Sequence, residues 1–596
     1  MSKWKFLILL LVVLIGNRLF SQEAHHLIIS PEEFENAATE LTSFSLGEFE
    51  VVREIYFIED IIAGSWNPAE SLYLFLEDYF SDPLIEWDTS SVLLLGSGTS
   101  NWNSGSERNR IPVYITNQIA SDGMYVDFDG DSLPDVSIGR IPASNSADLE
   151  SYLEKYYAYM TEAEAGLWQR RLLFSADDEM KNGELEGTSS SSPMNHSQKS
   201  DELMAAVENP FIIKQVYGID YEMDENGEKP QAKNDIIATL NEGVNLWTFV
   251  GHASGTLLGD EHYFQVEDIA ELSNTGKEPF MFVAGCNVGA FSGEEACLAE
   301  RLMFTEGGIV SGVFASYDSS PLSNIQLGCL LLSRLYNDGD DWGTGLRLAK
   351  AESGASISNS KKYNLFGDPL GKIRAGDAAA LQLEPEITDL LPGTETLCGW
   401  NCGFEYEEAH FVIMEASSWI EYSHTIEDVT FEYNRWRPGE IVLSGNAEVS
   451  GGRAEYLAEL PASMVEGDDG QIVCWSLGTD GKADFYFSEN IPVGDNSAAD
   501  EDIVTGVMQV RNYPNPFNPS TVISYYLPEN SKTEIAIYNI KGEKIIREIR
   551  GNEPEGWHEW RWNGRDEQGR NMSSGIYMVR IKSDDKMVCG RMNLLK

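Results

Sequence analysis

The chain has 596 residues, 42% of them hydrophobic, with 42 Lys and Arg set against 96 Asp and Glu, a formal charge of −54. That length exceeds one core and predicts about three or four folded domains, while the charge repels phosphate backbones and anionic headgroups, which argues against nucleic acid as a partner. Seven cysteines is an odd count, suited to an exported chain with one reactive thiol and up to three disulfides.

Lys3 and Lys5 precede the apolar run Phe6 to Gly16, and Leu19-Phe20-Ser21 offers a small residue for cleavage before Gln22, so residues 1–21 are expected to be a signal peptide removed on export. The run is too short to span a bilayer comfortably, and no later segment supplies a span. Only Gln22 to His26 separates the expected cleavage from the first strand, so no sizeable propeptide is expected. From 22 to 165, apolar runs (Leu27 to Ser30, Ser91 to Gly96) alternate with amphipathic stretches (Ser71 to Phe80, Leu149 to Tyr159), the texture of an α/β subdomain. Asp127-Phe-Asp129-Gly-Asp131-Ser-Leu-Pro-Asp135 sets side-chain oxygens at alternating positions around a glycine, a candidate loop for structural calcium. It lacks the distant Glu of an EF-hand, and the same spacing serves ordinary Asp-Gly turns.

A second α/β portion, 166–376, carries the reactive side chains. Arg171 to Ala176 reads as a strand running into Asp177-Asp178-Glu179. Asn245-Leu-Trp-Thr-Phe-Val250 runs into Gly251-His252-Ala-Ser-Gly255, and Phe280-Met-Phe-Val-Ala284 into Gly285-Cys286-Asn287. In an open parallel sheet the loops leaving the carboxyl ends of adjacent strands share one crevice, so His252 and Cys286 can meet although distant in sequence. A thiol needs a base to become a nucleophile, and the imidazole can later protonate a leaving amine. Glycines beside both residues allow tight turns and close approach of a substrate, and backbone amides near Gly251 and Cys286 are candidate oxyanion donors. Taken singly, Cys286 is equally a small buried hydrophobe and His252 a turn residue. No His-Glu-x-x-His motif or phosphate-binding Gly-rich loop is present, and the thiol chemistry requires no cofactor.

After Asp377 the texture changes to short alternating strands, among them His410 to Met414, Val429 to Tyr433 and Ala483 to Phe487, which predicts a β-sandwich over 377–493. Within it, Cys398 and Cys402 have no second ligand pair, so they read as disulfide partners or buried thiols rather than half a metal site. An acidic linker, 494–506, leads to a last all-β module, 507–596, that opens on Tyr513-Pro-Asn-Pro-Phe-Asn-Pro519. Its strands are Thr521 to Tyr526, Glu534 to Tyr538 and Ser574 to Arg580, with Trp562-Asn-Gly564 and Gly569 between them.

The sequence of strand, Gly-His-x-x-Gly, strand and Cys resembles the gingipain family of secreted cysteine peptidases. The resemblance extends through Gly289, Phe291, the helix-like Glu294 to Phe304, with Ser292 and Glu295 at capping-box spacing, and Gly307 to Ser316. Asp135 to Pro142 and Tyr363-Asn-Leu-Phe-Gly-Asp-Pro369 resemble further family segments, so the likeness covers roughly 27 to 375. It implies a caspase-like α/β catalytic unit of two subdomains followed by an immunoglobulin-like domain, and a catalytic acid orienting His252, for which Asp177 is the matching position. Arginine-specific members carry an acid in the segment after that position. Ser189 to His196 offers none here, and Tyr317 and Asp318 lie where the pocket rim would be. The final module closely resembles the sorting domain read by the type IX secretion system, which implies that machinery as a partner and release or surface attachment as the destination. The resemblance thus implies a secreted or surface cysteine endopeptidase acting on proteins or peptides. The alternatives are a processing peptidase or transpeptidase that removes sorting domains, and a non-catalytic surface binding protein.

Overall fold

The computed structural model describes residues 22–594 except 45–50, 163–164, 179, 182–183, 186–195, 209, 355, 403–405, 427–428, 479–482, 495–507, 514–519, 540–543, 574 and 584–585. The expected signal peptide, the acidic linker beyond Gly494 and the Pro-rich entry of the last module therefore lie outside the described residues. None of the described helices is long and apolar enough to cross a membrane.

Ten strands make one sheet: β1 (His25–Ser30), β2 (Val52–Phe57), β3 (Ser91–Leu95), β4 (Ser137–Ile141), β5 (Arg171–Ala176), β6 (Ile212–Tyr217), β7 (Leu246–Val250), β8 (Phe280–Ala284), β9 (Ser311–Ala315) and β10 (Tyr363–Phe366). Their spatial order is β6-β5-β7-β8-β9-β10-β4-β3-β1-β2. Every pairing is parallel except β9 with β10. The sheet is thus two parallel halves of opposite direction, and in each half the second strand in chain order lies outside the first while the third and fourth lie on its other side. Parallel strands covered on both faces need apolar side chains at successive positions. In β1, Leu27 and Ile29 join the cluster under Leu72, Leu76 and Phe80, whereas Ile28 joins the opposite cluster with Ala38 and Leu153. The uninterrupted run is what a strand with helices on both faces requires.

The longer helices and those beside the strand ends are α1 (Pro68–Phe80), α2 (Ser146–Tyr157), α3 (His196–Ala205), α4 (Pro230–Glu242), α5 (Leu298–Phe304), α6 (Pro321–Ser333) and α7 (Trp342–Glu352). The helix expected from Glu294 begins later, at Leu298. Cys297 donates its N–H to Glu300 Oε2 at 2.8 Å, and Glu300 in turn binds Arg108 Nη2 at 2.5 Å. Arg108 also reaches the carbonyls of Gly293 and Phe291. The cap is therefore set by Glu300 and a distant arginine, not by Ser292 and Glu295.

From Asp377 the chain forms a curled, mainly antiparallel sheet, in which Asp377–Ala380 runs parallel to Ala483–Phe487 and Ile441–Ser450 pairs first with Tyr406–Met414 and then, through its last residues, with Arg453–Glu459. The two layers close over Trp400, Phe411, Ile413, Ala454 and Ile472. Val412, Met414, Phe485 and Phe487 pack on Ile212 of β6. Arg435, from the hairpin Ser418–Ile426/Val429–Arg437, donates to Gln215 Oε1 at 2.8 Å and to Asp220, and lies over the Tyr217 ring. Cys398 and Cys474 are buried here as free thiols, and Cys286, Cys297 and Cys329 are free as well, so the disulfides expected from export are not formed at these positions. Residues 495–596 form a separate unit. It has a three-stranded and a four-stranded antiparallel sheet around Ile523, Tyr525, Ile535, Ile537, Trp562 and Ile581.

The seam between the half-sheets is polar at its centre. β10 runs antiparallel to β9 and touches β4 in parallel at Phe366 and Arg140. Arg140 is fully buried. It binds Asp122 through Nε at 2.8 Å and Nη2 at 2.6 Å, and donates to the carbonyls of Gly96 and Pro112. Removing one partner of a buried, fully hydrogen-bonded pair strands the other charge. Arg140→Met is expected to lower stability by about 3–5 kcal/mol in chemical denaturation, and adding Asp122→Asn is expected to recover part of that loss.

Candidate active site

Backbone register places the chemistry. Ala176 of β5 pairs with Val250 of β7, which pairs with Ala284 of β8, so the three strands end in one row. Asp177, Gly251-His252 and Gly285-Cys286 are the residues that turn out of that row. Strand order reverses between β5 and β7, which opens a crevice at their carboxyl ends. Two of these positions must be glycine on steric grounds. A Cβ on Gly251 would lie 2.3 Å from Asp177 Cβ, and one on Gly285 would lie 2.9 Å from Ala253 Cβ and 3.0 Å from the Gly251 carbonyl. The His and Cys loops are therefore in direct contact, and both side chains are half-buried.

Asp177, the expected orienting acid, stands beside the His252 loop and makes contacts to its backbone. Its Oδ2 accepts the backbone N–H of His252 at 3.0 Å, and its Oδ1 accepts that of Asp178 at 2.9 Å. Both oxygens thus serve backbone amides, and the side chain holds the histidine's loop. Asp177 is fully buried, and burial followed by the neighbouring Glu261 and Asp178 pushes its carboxyl well above the usual range. Burial also raises Glu261. Carboxylate oxygens of Asp177, Asp178 and Glu261 lie within 4.8 Å of one another. Lys229 Nζ compensates part of this charge, 2.6 Å from Asp178 Oδ2, and also donates to the Gly218 carbonyl.

His196, at the start of α3, was not singled out from the sequence. Its Nδ1 donates to the Asp178 carbonyl at 2.7 Å, and its ring stands edge-on to His252 with centroids 5.7 Å apart. No spacing rule links it to His252, and it closes a serine-rich stretch whose other members, Ser189 to Asn195, lie outside the described residues. Glu261 and Lys229 were missed for the same reason, being single polar residues on loops.

Cys286 is distinguished from the other thiols by its surroundings. Burial pushes Cys297 and Cys474 far up, Cys329 up to about 12 and Cys398 up to about 11, which makes all four poor nucleophiles. Cys286 Sγ is half-exposed and accepts the backbone N–H of Ser319 at 3.3 Å. The oxyanion expectation changes in one respect. Gly251 N–H donates to the Ala284 carbonyl at 3.3 Å and His252 N–H to Asp177, so amides of the histidine loop are already engaged. Leu298 N–H, at the start of α5, donates to the Gly255 carbonyl at 2.7 Å and braces that loop.

Tyr317 and Asp318 are exposed just beyond β9, at the same edge of the sheet. Asp318 Oδ1 accepts from Asn287 Nδ2 at 2.7 Å, next to Cys286 in the chain, and Tyr317 Oη donates to Gln118 Oε1 at 3.2 Å. In the acidic loop, Asp127, Asp129 and Asp135 converge but Asp131 does not belong to the group. Asp131 Oδ1 turns back to the Leu133 N–H at 2.8 Å, an Asx turn that draws it away.

Comparison with known proteins agrees with this architecture. The model of Peptidase family C25 matches residues 20–374, and that of the FlgD Ig-like domain matches residues 518–586. Gingipain R2 and gingipain R1 of Porphyromonas gingivalis are each 28% identical over 222 residues, 36% of this chain and 26% and 20% of their own lengths. The chain thus spans about a quarter or less of the curated relatives it matches. Among solved structures, the Arg-specific cysteine proteinase gingipain R (RgpB) aligns with 79% of this chain and 98% of its own at 18% identity and a TM-score of 0.49. Dimeric latent PorU of Porphyromonas gingivalis aligns with 96% of this chain and 64% of its own at 12% identity and a TM-score of 0.32. With a family model covering more than half of its length, and with the caspase-like α/β unit and C-terminal β-domains in place, the chain belongs to Peptidase family C25.

Proposed function

We propose that the protein is a cysteine endopeptidase in which Cys286 is the nucleophile and His252 the general acid and base. The observation that carries this is the shared strand-end row, from which the His and Cys loops emerge in contact. His252 takes the Sγ proton as sulfur attacks the scissile carbonyl, forming a C–S bond. The tetrahedral intermediate then expels the amine, which leaves with the proton from the imidazolium. Water, deprotonated by His252, cleaves the thioester, releases the acid and restores the thiol. The backbone amide of Cys286 is the assigned oxyanion donor, since the amides of Gly251 and His252 are used elsewhere. Asp177 is a positioning residue. Asp318 gives the substrate side of the crevice a carboxylate suited to a basic residue before the scissile bond.

Export by the signal peptide, passage through type IX secretion and use of residues 507–596 as its sorting domain complete the reading. It rests on the sequence resemblance, together with the all-β fold of the last unit. The protein then works outside the cell or on its surface. Structural calcium fits the loop of Asp127, Asp129 and Asp135. Burial, followed among other influences by the neighbouring carboxylates, raises Asp127 and Asp135, and a divalent cation would relieve that repulsion. Asp127 also spends both oxygens on the amides of Gly130 and Ser132, so the loop is partly self-satisfied.

Three measurements test these assignments. Incubation with an unbiased peptide library, read by mass spectrometry, is expected to show cuts that vanish in Cys286→Ala and fall by at least about 10³-fold in His252→Ala. Cleavage restricted to sorting-domain sequences would instead mark a processing enzyme, and none in any form would mark a binding protein. Asp177→Asn, which keeps an acceptor for the His252 amide, is expected to retain activity within roughly 10-fold, whereas an acid that orients the imidazole would lose about 10⁴-fold on the same change. Saturating calcium is expected to raise the melting temperature of the protein by roughly 5 °C, and Asp135→Asn to abolish most of that shift.

A further inference from the structure

Cys286 lies against the segment that leads from β9 into α6, and the polar side chains there form a single relay. Ser319 donates its N–H to Cys286 Sγ at 3.3 Å. Its Oγ donates to the carbonyl of Gly285, the residue before the nucleophile, at 3.1 Å, and accepts from Asn324 Nδ2 at 2.8 Å. Asn324 Oδ1 accepts from Asn359 Nδ2 at 2.9 Å, and Asn359 Oδ1 accepts the N–H of Ser320 at 2.7 Å. The relay therefore starts on the nucleophile's loop and returns to the backbone beside Ser319. Asn324 and Asn359 are 1% and 2% exposed, so neither amide can exchange its partner for bulk water without cost.

Two asparagines buried only to hold one half-exposed serine need a reason, and the sulfur supplies it. A thiolate is stabilised by N–H donors that cannot turn away, and by the amino end of a helix. Ser320 is the N-cap of the 13-residue α6, so Ser319 presents its amide at that end. Tyr363 of β10 interacts with Cys286, His252 lies on the adjoining loop, and Asp318 next along the Ser319 segment is held by Asn287 and by Lys362, whose Nζ donates to the Asp318 carbonyl at 2.5 Å. Tyr363 is buried and burial raises it, so it stays neutral. Asp318 directs one oxygen to Asn287.

We propose that Ser319, locked by Asn324 and Asn359, is a positioning residue that fixes the Cys286 sulfur and favours its thiolate form. This rests on the peptidase reading, because it gives Cys286 the nucleophile's part. It assigns the relay a role in reactivity beyond the stability that any buried amide pair contributes.

The test is the rate of Cys286 alkylation by iodoacetamide as a function of pH, followed by peptide mapping on the full chain, for wild type, Ser319→Ala, Ser319→Thr and Asn324→Ala. Ser319→Ala and Asn324→Ala are expected to move the alkylation midpoint to higher pH and to slow the reaction near neutrality on the order of 5-fold. Ser319→Thr, which keeps the hydroxyl, is expected to stay within about 2-fold of wild type. On any cleaved peptide, kcat is expected to fall by the same factor with KM unchanged. Wild-type pH profiles in both alanine variants, with melting temperatures intact, would overturn the proposal. If Asn324→Ala does not fold, Ser319→Ala decides, since it leaves the Asn324–Asn359 bond in place. A shifted alkylation profile in a protein that cuts no peptide would sink the peptidase reading and leave the thiol assignment standing.

Discussion

The parallel register of β5, β7 and β8 is the constraint on which the proposed chemistry depends. Because Ala176, Val250 and Ala284 end in one row, residues separated by more than a hundred positions in the chain leave the sheet side by side. A slip of one residue in β7 would turn Gly251 away from Asp177 and place a side chain where 2.3 Å is available. Apolar residues on both faces fix that register from within the sheet, and the two glycines fix it at the edge. Reactivity at this edge is thus a consequence of how tightly the strand ends pack, before any substrate is considered.

The opposite half-sheet contributes by bracing the same edge from the far side. β10 enters the site edge by its amino end, so Tyr363 and Asn364 stand near Ser319 and the turn of Ala120. Asn364 accepts the Asp122 N–H at 2.8 Å and donates to the Ala120 carbonyl, and Ser316 Oγ donates to that carbonyl at 2.6 Å. Asp122 is in turn held by Arg140. One chain of polar contacts therefore runs from the buried seam to the loop that carries Tyr317 and Asp318. Ala120, Asp122 and Arg140 of the first half-sheet thus brace the loop that carries Tyr317 and Asp318.

Much of this was legible in the sequence because parallel-sheet strands are read directly as short apolar runs. β1, β3, β5, β7 and β8 all announce themselves in this way, and Asp177, His252 and Cys286 follow the strand ends within two residues. What was not legible has a common cause. The insertion of β10 between the halves is a matter of pairing, which apolar content does not encode. His196, Glu261, Ser319, Asn324 and Asn359 are isolated polar residues in ordinary surroundings, and only tertiary contact gives them a role. The start of α5 was misplaced because Glu300 answers to Arg108, a partner far away in the chain that no local capping pattern reveals. The disulfides suggested by an odd cysteine count and an export signal gave way to burial: Cys398 and Cys474 fill the sandwich core as small apolar side chains.

The electrostatics around Asp177 bear on how little help the histidine needs. A carboxyl that is fully buried and crowded by two other carboxyls cannot present a full negative charge to an imidazolium. Lys229 pairs with Asp178, while burial raises the carboxyls of both Asp177 and Glu261. Asp177 serves as a scaffold for the His252 backbone, whose N–H its Oδ2 accepts. A thiol is already partly ionised near neutrality and intrinsically nucleophilic, so a dyad in which the imidazole and the thiolate stabilise each other suffices. In the proposed dyad Asp177 holds the backbone of the His252 loop, and the fixed amide donor to the sulfur comes from the β9–α6 segment at Ser319.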